Sequence, residues 1–425
     1  MKTINIGVAG LGTVGSGVAE IFCQGKHFDI PIRLAKAAEA DSARRQSVKL
    51  DKSVLINDAR QLIDDPVIDI VVELIGGCGI AKEIVLGALK NGKAVVTANK
   101  ALLAKHGEEI FSAVKKYDGD IYYEASVAGG IPIIKIFREG LIANKINSIF
   151  GIVNGTCNYI LTKMKEDGAN FSEALTGAQK EGYAEKDPTL DIEGFDSAHK
   201  LVILSSLALG AWINPKDVYT EGISRLTHSD IIYASELGYV IKLLAIYKNN
   251  KEGVEVRVHP TLLPENHVLS SVNGVFNAIF VKGDNVGDQL FYGRGAGKLP
   301  TASAVVADIL DVARNLSSGT RRRLPVINTG SKNAKVVPIE KVVNKCYLRF
   351  TTLDRPGVLA KIAGILGRNR ISIESVIQKG KKETEPVHIV IMTHVAVEKD
   401  IRKAIGLIDK MPEVKAKTMM MRVEE

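Results

Sequence analysis

The first third of the chain alternates short apolar runs with longer amphipathic stretches. The runs have the length and composition of buried strands, and helical patterns separate several of them. This alternation predicts a parallel sheet with crossover helices, which places the N-terminal region in the α/β class. The predicted strands are Ile4–Ala9, Ile32–Ala38, a strand that starts at Val67 and runs into the glycine turn at Gly76 and Gly77, Ala94–Thr97 and Ile121–Val127.

A glycine-rich turn follows the first predicted strand and opens the first predicted helix. Its G-x-G-x-x-G spacing in this position is typical of a dinucleotide-binding Rossmann domain, although a glycine turn without a ligand has the same letters. Gly10 would allow the tight turn, Gly12 the approach of the pyrophosphate, and Gly15 close packing of helix against strand. The predicted cofactor-binding residues of the turn are Gly10, Leu11, Gly12, Thr13, Val14 and Gly15.

The end of the second strand leaves the choice of dinucleotide open. A carboxylate at Glu39 would bind the ribose hydroxyls of NAD and repel the additional phosphate of NADP. Arg44 and Arg45 lie just beyond it and could clamp that phosphate.

Lys100 follows the strand Ala94–Thr97, at the strand end where open parallel sheets bind ligands, but a surface lysine at a helix start is the alternative.

The pattern changes twice after residue 130. A strand from Ile146 to Val153 and a helix from about Cys157 lead to a polar loop and a very apolar helix, Leu201–Gly210. Strands and turns dominate between Val254 and Tyr292, and the order β-α-β-β-α-β begins at Lys345. We therefore predict a nucleotide domain (1–130 and 301–320), an α+β substrate and dimerisation domain (131–300), a linker (321–344) with a solvated arginine run, and a C-terminal ferredoxin-like domain (345–425).

Composition limits the classes of function. The chain has 425 residues, 46% of them hydrophobic and 24% charged, with a net charge of +8. Its basic residues are scattered and aromatics make up only 5%, which favours small anionic ligands over nucleic acid. We expect no membrane span and a cytoplasmic location, because the chain begins with a strand and no run is long enough to cross a bilayer. The four cysteines lack metal-type spacing, and Cys157 is predicted to be a packed small residue.

The most informative stretch is the polar string Gly182–Lys200, which carries five carboxylates and two lysines. Pro188 and Gly194 prevent it from forming one continuous helix. Asp196 is predicted near the start of the following buried helix, with Lys200 one turn later on the same face. The alternative is that the carboxylates only cap the helix and Lys200 extends into solvent.

The whole string has the form G-Y-x-E-x-D-P-x-x-D-x-x-G-x-D-x-x-x-K, and through it the chain resembles the homoserine dehydrogenase family. The family's T-x-N-K at Thr97, N-G-T-x-N-Y-I-L at Asn154 and G-x-G-A-G-x-x-P-T-A-S-A-V at Gly293 are also present. The resemblance implies NAD(P)H-dependent reduction of L-aspartate 4-semialdehyde to L-homoserine, in threonine, methionine and isoleucine biosynthesis. Without an aspartate-kinase region, the chain looks like the monofunctional enzyme.

The resemblance also implies roles for single residues. Lys200 would be the catalytic acid/base, Lys100 a second cation at substrate and cofactor, and Asp191 the residue that positions Lys200. The implied substrate-binding residues are Gly182, Glu185 and Asp196, and the implied cofactor contacts include Thr97 and Gly297. A monovalent cation such as sodium would bind, mainly through backbone oxygens, at Glu124, Val127, Gly129 and Ile131.

The C-terminal domain carries D-R-P-G-V-L at its first strand–helix turn and looks like an ACT domain. A helix N-terminus left open by Gly357 could hold the carboxylate of a small amino acid, most simply the end product L-threonine. The implied effector residues are Asp354, Gly357 and Val358, and the alternative is a domain that only assembles subunits into a homodimer or homotetramer.

Two other functions remain open from the sequence. One is a Rossmann dehydrogenase of another small aldehyde or amino acid. The other is a non-catalytic amino-acid sensor, against which the presence of both Lys100 and Lys200 argues.

Overall fold

The computed structural model describes residues 3–24, 28–329, 334–379 and 385–425, so small parts of the predicted nucleotide domain, linker and ACT domain lie outside the described residues. The strands, in chain order, are β1 (Ile4–Ala9), β2 (Ile32–Ala38), β3 (Leu55–Ile56), β4 (Ile70–Glu73), β5 (Ala94–Thr97), β6 (Ile121–Tyr122), β7 (Ile146–Ile152), β8 (Tyr219–Thr220), β9 (Tyr239–Asn250), β10 (Gly253–Pro264), β11 (Phe276–Gly283), β12 (Gly287–Arg294), β13 (Val343–Asn344), β14 (Cys346–Thr352), β15 (Ile373–Gln378), β16 (Val387–Thr393), β17 (Ala396–Val397) and β18 (Val414–Val423). The α-helices are α1 (Thr13–Cys23), α2 (Ser42–Ser47), α3 (Gln61–Asp64), α4 (Gly79–Lys90), α5 (Lys100–Lys116), α6 (Ile133–Lys135), α7 (Gly155–Glu166), α8 (Phe171–Lys180), α9 (Thr189–Ile192), α10 (Phe195–Leu209), α11 (His228–Glu236), α12 (Lys298–Ser317), α13 (Val358–Arg368) and α14 (Glu398–Ile408).

The chain forms two compact units, each described by itself. The first, which comprises residues 1–149, 199–215 and 276–334, contains a parallel sheet in the order β3-β2-β1-β4-β5-β6. The strand order reverses between β1 and β4, and ligands of open α/β sheets bind at the carboxyl ends of the strands beside such a point. The apolar side chains of Ile6, Val72 and Val96 are fully buried in the core, against which α1 and α12 pack.

Two predicted strands of this sheet are shorter than the sequence suggested. The third begins at Ile70 rather than Val67, because Asp65 accepts hydrogen bonds from the amides of Val67 and Ile68 and holds them in a turn. The last ends at Tyr122 rather than Val127, and a 3₁₀ turn, Glu124–Ser126, follows it. The Glu124 carboxylate accepts hydrogen bonds from backbone amides, which draws the chain out of the strand direction.

The second unit comprises residues 150–198, 216–275 and 335–425 and contains most of the substrate region with the C-terminal domain. In that domain the order β14-α13-β15-β16-α14-β18, interrupted only by the two-residue β17 before α14, confirms the predicted β-α-β-β-α-β pattern. The strands lie in the order β18-β14-β16-β15 with antiparallel neighbours, and α13 and α14 pack on an apolar core around Leu348, Phe350 and Ile362.

The C-terminal strand joins the two parts of the second unit into one sheet. β18 pairs with β14 on one side and, in parallel, with β10 of the substrate region on the other. Buried charges follow the same junction: Arg257 on β10 donates a hydrogen bond of 2.7 Å to Glu424, just after β18. Within the described ranges, no helix combines the length and the apolar character that a bilayer span requires.

Candidate active site

The glycine turn after β1 has the geometry that the sequence predicts for a dinucleotide site. Gly10 has φ of 97°, a conformation that favours glycine, and a Cβ on Gly15 would lie 1.9 Å from the Gly10 carbonyl oxygen. A Cβ on Gly12, in contrast, would approach no protein atom closer than 4.0 Å, where it would meet the Arg44 guanidinium. Gly12 is the N-cap residue of α1, so the space it leaves lies at a helix N-terminus suited to a phosphate.

Glu39 and Arg44 lie beside this space. The Glu39 carboxylate accepts hydrogen bonds from the amides of Leu11 (2.9 Å) and Asp41 (3.0 Å). Glu39 and Arg44 also line a cavity of about 310 Å³ together with Gly10, Gly12 and Ile75. A carboxylate and a guanidinium thus share the predicted ribose region, and this geometry agrees with either dinucleotide.

The carboxyl ends of β4 and β5 carry a buried hydrogen-bond network. Glu73 ends β4 and accepts hydrogen bonds from the Thr97 hydroxyl (2.7 Å) and from the amides of Ile75 and Gly76. Burial raises the pKa of the Glu73 carboxyl above its ordinary value. Asn99 caps α5 by accepting from Leu102, so Lys100 is held at the first position of that helix.

The polar string 182–200 folds as a loop followed by two helices in sequence. Gly182 ends the turn after α8 with φ of 78°, Glu185 is exposed in the loop, and α9 covers Thr189–Ile192. Asp196 is the second residue of α10 and Lys200 lies one turn later, as predicted. Both are buried, with 7% and 8% of their surfaces exposed. The alternative in which Lys200 extends into solvent is therefore wrong.

Asn154 connects two carboxylates of the string, a role that the sequence did not suggest. Its side-chain amide donates hydrogen bonds of 2.7 Å to Asp191 and 2.9 Å to Asp196. Cys157 is buried, as predicted, and its thiol donates to the Asp191 carbonyl oxygen. Glu185 is not part of this group, since it lies in the loop, where its carbonyl accepts a hydrogen bond from Gln179.

The turn after β6 brings the predicted cation residues into a compact segment. Glu124 accepts hydrogen bonds from the amides of Ile134 (2.8 Å) and Lys135 (2.7 Å), and its own amide donates to Asp308. Burial raises the pKa of the Glu124 carboxyl to about 7. Val127 and Ile131 are buried in this turn, and Gly129 has φ of 31°. Among the described residues, no cluster of three or more His, Cys, Asp or Glu side chains forms a metal site.

The remaining predicted residues lie at two helix starts. Gly297 is the N-cap residue of α12 with φ of 125°, as expected for the second glycine turn. Gly357 is the N-cap residue of α13 with φ of 89°, and a Cβ there would meet open space. Val358 is buried directly after it, and Asp354 accepts a hydrogen bond from Gln378 of β15.

Comparison with known proteins decides between the functions that the sequence left open. Residues 132–310 match the family model for homoserine dehydrogenase, residues 10–124 its NAD-binding domain and residues 347–413 the ACT domain. A homoserine dehydrogenase of Neisseria gonorrhoeae is 47% identical, over 100% of this chain and 99% of that one. The chain belongs to the homoserine dehydrogenase family.

Solved structures of the homoserine dehydrogenase family support the same assignment. The enzyme from Thiobacillus denitrificans is similar with a TM-score of 0.93 and 46% identity, over 100% of this chain and 99% of that one. A hyperthermophilic archaeal homoserine dehydrogenase in complex with NADPH is similar with a TM-score of 0.64 and 26% identity, over 77% and 100% of the two chains. The predicted fold class, family, oxidoreductase activity and NAD(P)-binding domain are confirmed.

Proposed function

We propose that the protein reduces L-aspartate 4-semialdehyde to L-homoserine with NAD(P)H. The observation that carries the proposal is the pairing of Asp191 and Asp196 on one amide, followed one helical turn later by a buried lysine. A polar aldehyde that carries an ammonium group needs anionic groups to bind it and a proton donor at its carbonyl end. Asp196 and Lys200 on α10 supply one of each.

Lys200 is the proton donor in this proposal. When the cofactor is bound, it supplies the hydride that attacks the aldehyde carbon. Negative charge then develops on the aldehyde oxygen, and a positioned acid lowers the barrier by protonating it. The ammonium group of Lys200 carries that proton, while Lys100, held at the start of α5, attracts the same developing charge.

The carboxylates bind and orient the substrate. Asp191 and Asp196 are brought to one amide nitrogen, and two anions this close attract a cation. The substrate's ammonium group fits this requirement, and Asp191 in addition orients Lys200. Glu185, on the exposed loop, would contribute only after the loop closes on the substrate.

The cofactor would be held by the glycine turn, with Thr97 and Gly297 as further contacts. The open space at Gly12 fits a pyrophosphate, because it lies at the N-terminus of α1 and a Cβ there would meet no atom outside the turn closer than the Arg44 guanidinium at 4.0 Å. Glu39 would bind the ribose hydroxyls, and Arg44 would permit the additional phosphate of NADP.

One assay tests the reaction. Purified enzyme should oxidise NADH or NADPH with L-aspartate 4-semialdehyde at least a hundredfold faster, by kcat/KM, than with succinic semialdehyde, which lacks the ammonium group. A hydrogen-bonding or ionic site discriminates strongly against an analogue that lacks the recognised group. Equal rates with both aldehydes would contradict the assignment of Asp191 and Asp196 to the ammonium group.

We also propose a monovalent cation, such as sodium, at the turn of Glu124, Val127, Gly129 and Ile131. The support is a buried carboxyl beside a second buried acid, Asp308, in a turn whose glycine brings backbone atoms close together. Replacing sodium by choline in the assay should lower the activity of the wild type and leave Glu124→Gln indifferent to the exchange. Equal sodium dependence of the wild type and the variant would contradict a cation site at Glu124.

We propose, finally, that L-threonine binds the ACT domain at Asp354, Gly357 and Val358 and inhibits a homo-oligomeric enzyme. Because Gly357 has no side chain with which to cap α13, the helix N-terminus is open to a carboxylate. Asp354→Asn should raise the threonine concentration for half-inhibition at least tenfold, whereas Asp400→Asn on α14 should not. If millimolar threonine does not lower the activity of the full-length wild type, the proposal is contradicted, and the domain would serve only to assemble subunits.

A further inference from the structure

The first turn of α7 contacts the polar string at three places. Asn154, the N-cap residue, donates to the carboxylates of Asp191 and Asp196. The Thr156 hydroxyl donates a hydrogen bond of 2.6 Å to the carbonyl oxygen of Tyr183, and the Cys157 thiol one of 3.1 Å to that of Asp191. The string is therefore held by α7 over most of its length.

The Asn154 amide has one orientation that satisfies all of its contacts. Its oxygen accepts a hydrogen bond of 2.8 Å from the Cys157 amide, which is the capping contact of α7. This fixes the nitrogen on the opposite side, where it meets the two carboxylates. Only 5% of Asn154 is exposed, so water competes little for these hydrogen bonds.

A second layer of hydrogen bonds fixes α7 itself. Asn158, one turn after Asn154, donates to the carbonyl oxygens of Val272 (3.1 Å) and Gly274 (3.0 Å). The oxygen of its side-chain amide accepts a hydrogen bond from Lys242, a lysine buried on β9. A Cβ on Gly155 would lie 2.8 Å from the Val275 carbonyl oxygen, so that segment packs directly against the helix start. Asn154 is therefore attached to a rigid support.

We propose that Asn154 is a positioning residue for the reaction, which acts through Asp191 and Asp196. The Asn154 amide holds one oxygen of each carboxylate on the same nitrogen and adds no charge of its own. Two carboxylates held on one nitrogen in this way are presented together to the ammonium group of the substrate. This inference rests on the proposed function of Asp191 and Asp196 as ligands of that group.

Asn154→Asp separates positioning from capping. Aspartate caps a helix N-terminus as well as asparagine does, so α7 should form and the protein should stay folded. Aspartate has no donor for the two carboxylates and adds a third negative charge to them. We expect kcat/KM for L-aspartate 4-semialdehyde to fall at least a hundredfold with a raised KM, while the Kd of NADPH changes less than twofold.

The pH profile gives a readout that a merely structural role would not move. Three adjacent carboxylates raise the pKa of one another, so one of them should bind a proton as the pH falls and again offer a donor between its neighbours. The activity of Asn154→Asp relative to the wild type should therefore rise towards low pH. Asn154→Ser can cap α7 but donates only one hydrogen bond, so its kcat/KM should be about tenfold lower than that of the wild type.

Asn170→Asp is the matched control. Asn170 is exposed and is the N-cap residue of α8 in the same unit, where its side chain accepts a hydrogen bond from the Glu173 amide. Within the described part of the chain, it has no hydrogen bond to Asp191 or Asp196. This variant should keep wild-type kinetics. An Asn154→Asp enzyme within threefold of the wild type, or an Asn154→Ser enzyme with full activity, would overturn the inference. A wild type inactive with L-aspartate 4-semialdehyde would instead overturn the proposed function, whatever the variants do.

Discussion

The guanidinium of Arg349 and the carboxylate of Asp230 form two hydrogen bonds, of 2.6 and 2.9 Å, in a site where Asp230 has no exposed surface. Arg349 lies on β14 of the ACT domain and Asp230 on α11 of the substrate region. Tyr347 and Thr227 donate to the same carboxylate. The ACT domain is thus joined to the substrate region by buried, paired charges as well as by strand pairing.

Asp230→Asn should destabilise the protein strongly, because it leaves the charge of Arg349 buried without its counter-ion. Breaking a buried ion pair from one side typically costs about 3–5 kcal/mol. Urea unfolding measures the change. Asp167→Asn removes the exposed pair with Lys163 and should cost less than about 1 kcal/mol. Equal changes in the free energy of unfolding for the two substitutions would contradict the claim that the buried pair of Asp230 and Arg349 is more important for stability than an exposed pair.

Gly12→Val should abolish dinucleotide binding and leave the protein folded. Gly12 has φ of −64°, which valine adopts without strain, and the space around its Cβ position contains no close protein atom. The side chain would occupy the space proposed for the pyrophosphate. Calorimetry should find the Kd of NADPH raised at least a hundredfold. Gly406→Ala, on α14 with open space around it, should leave the affinity unchanged.

The buried Glu124 carboxyl should make stability depend on pH in a defined window. Its pKa in the folded protein, about 7, lies above the ordinary value of 4.5, so the folded state holds the proton more tightly. The protonated Glu124 carboxyl makes its full contribution to the free energy of unfolding below about pH 4.5. This contribution is lost as the pH rises through about 7, and the loss is at most about 3 kcal/mol. Sodium-free unfolding curves of Glu124→Gln should fall less steeply over this window. Parallel curves would contradict the buried-carboxyl account.

Local patterns in the sequence predicted those parts of the site that depend on local chemistry. The tight turn at Gly10 and the close packing at Gly15 require glycine, so their spacing is visible in the sequence. Asp196 and Lys200 are four residues apart in one helix, so their common face is visible too. Asn154 could not be assigned, because it acts on carboxylates that lie 37 and 42 positions later. An N-cap asparagine ordinarily satisfies its own helix, and its letter gives no sign of a second function.

Long-range pairing explains the other differences. The residues after Tyr122 have strand composition, but the Glu124 carboxylate accepts hydrogen bonds from two amides of α6, which no local pattern indicates. The local sequence pattern likewise predicts residues 345–425 as a separate domain. The parallel pairing of β18 with β10 joins segments about 160 residues apart, and only the folded chain brings Arg257 to Glu424.

Lys200→Ala tests the central claim most directly. The measurement is turnover of L-aspartate 4-semialdehyde with saturating NADPH, together with the Kd of NADPH, for this variant, the wild type and Lys163→Ala as an exposed-lysine control. A positioned acid contributes about 10²–10⁴-fold, so Lys200→Ala should lose at least a hundredfold in kcat with cofactor affinity nearly unchanged, and Lys163→Ala should behave as the wild type. A Lys200→Ala enzyme that keeps more than about a tenth of wild-type turnover would contradict the account.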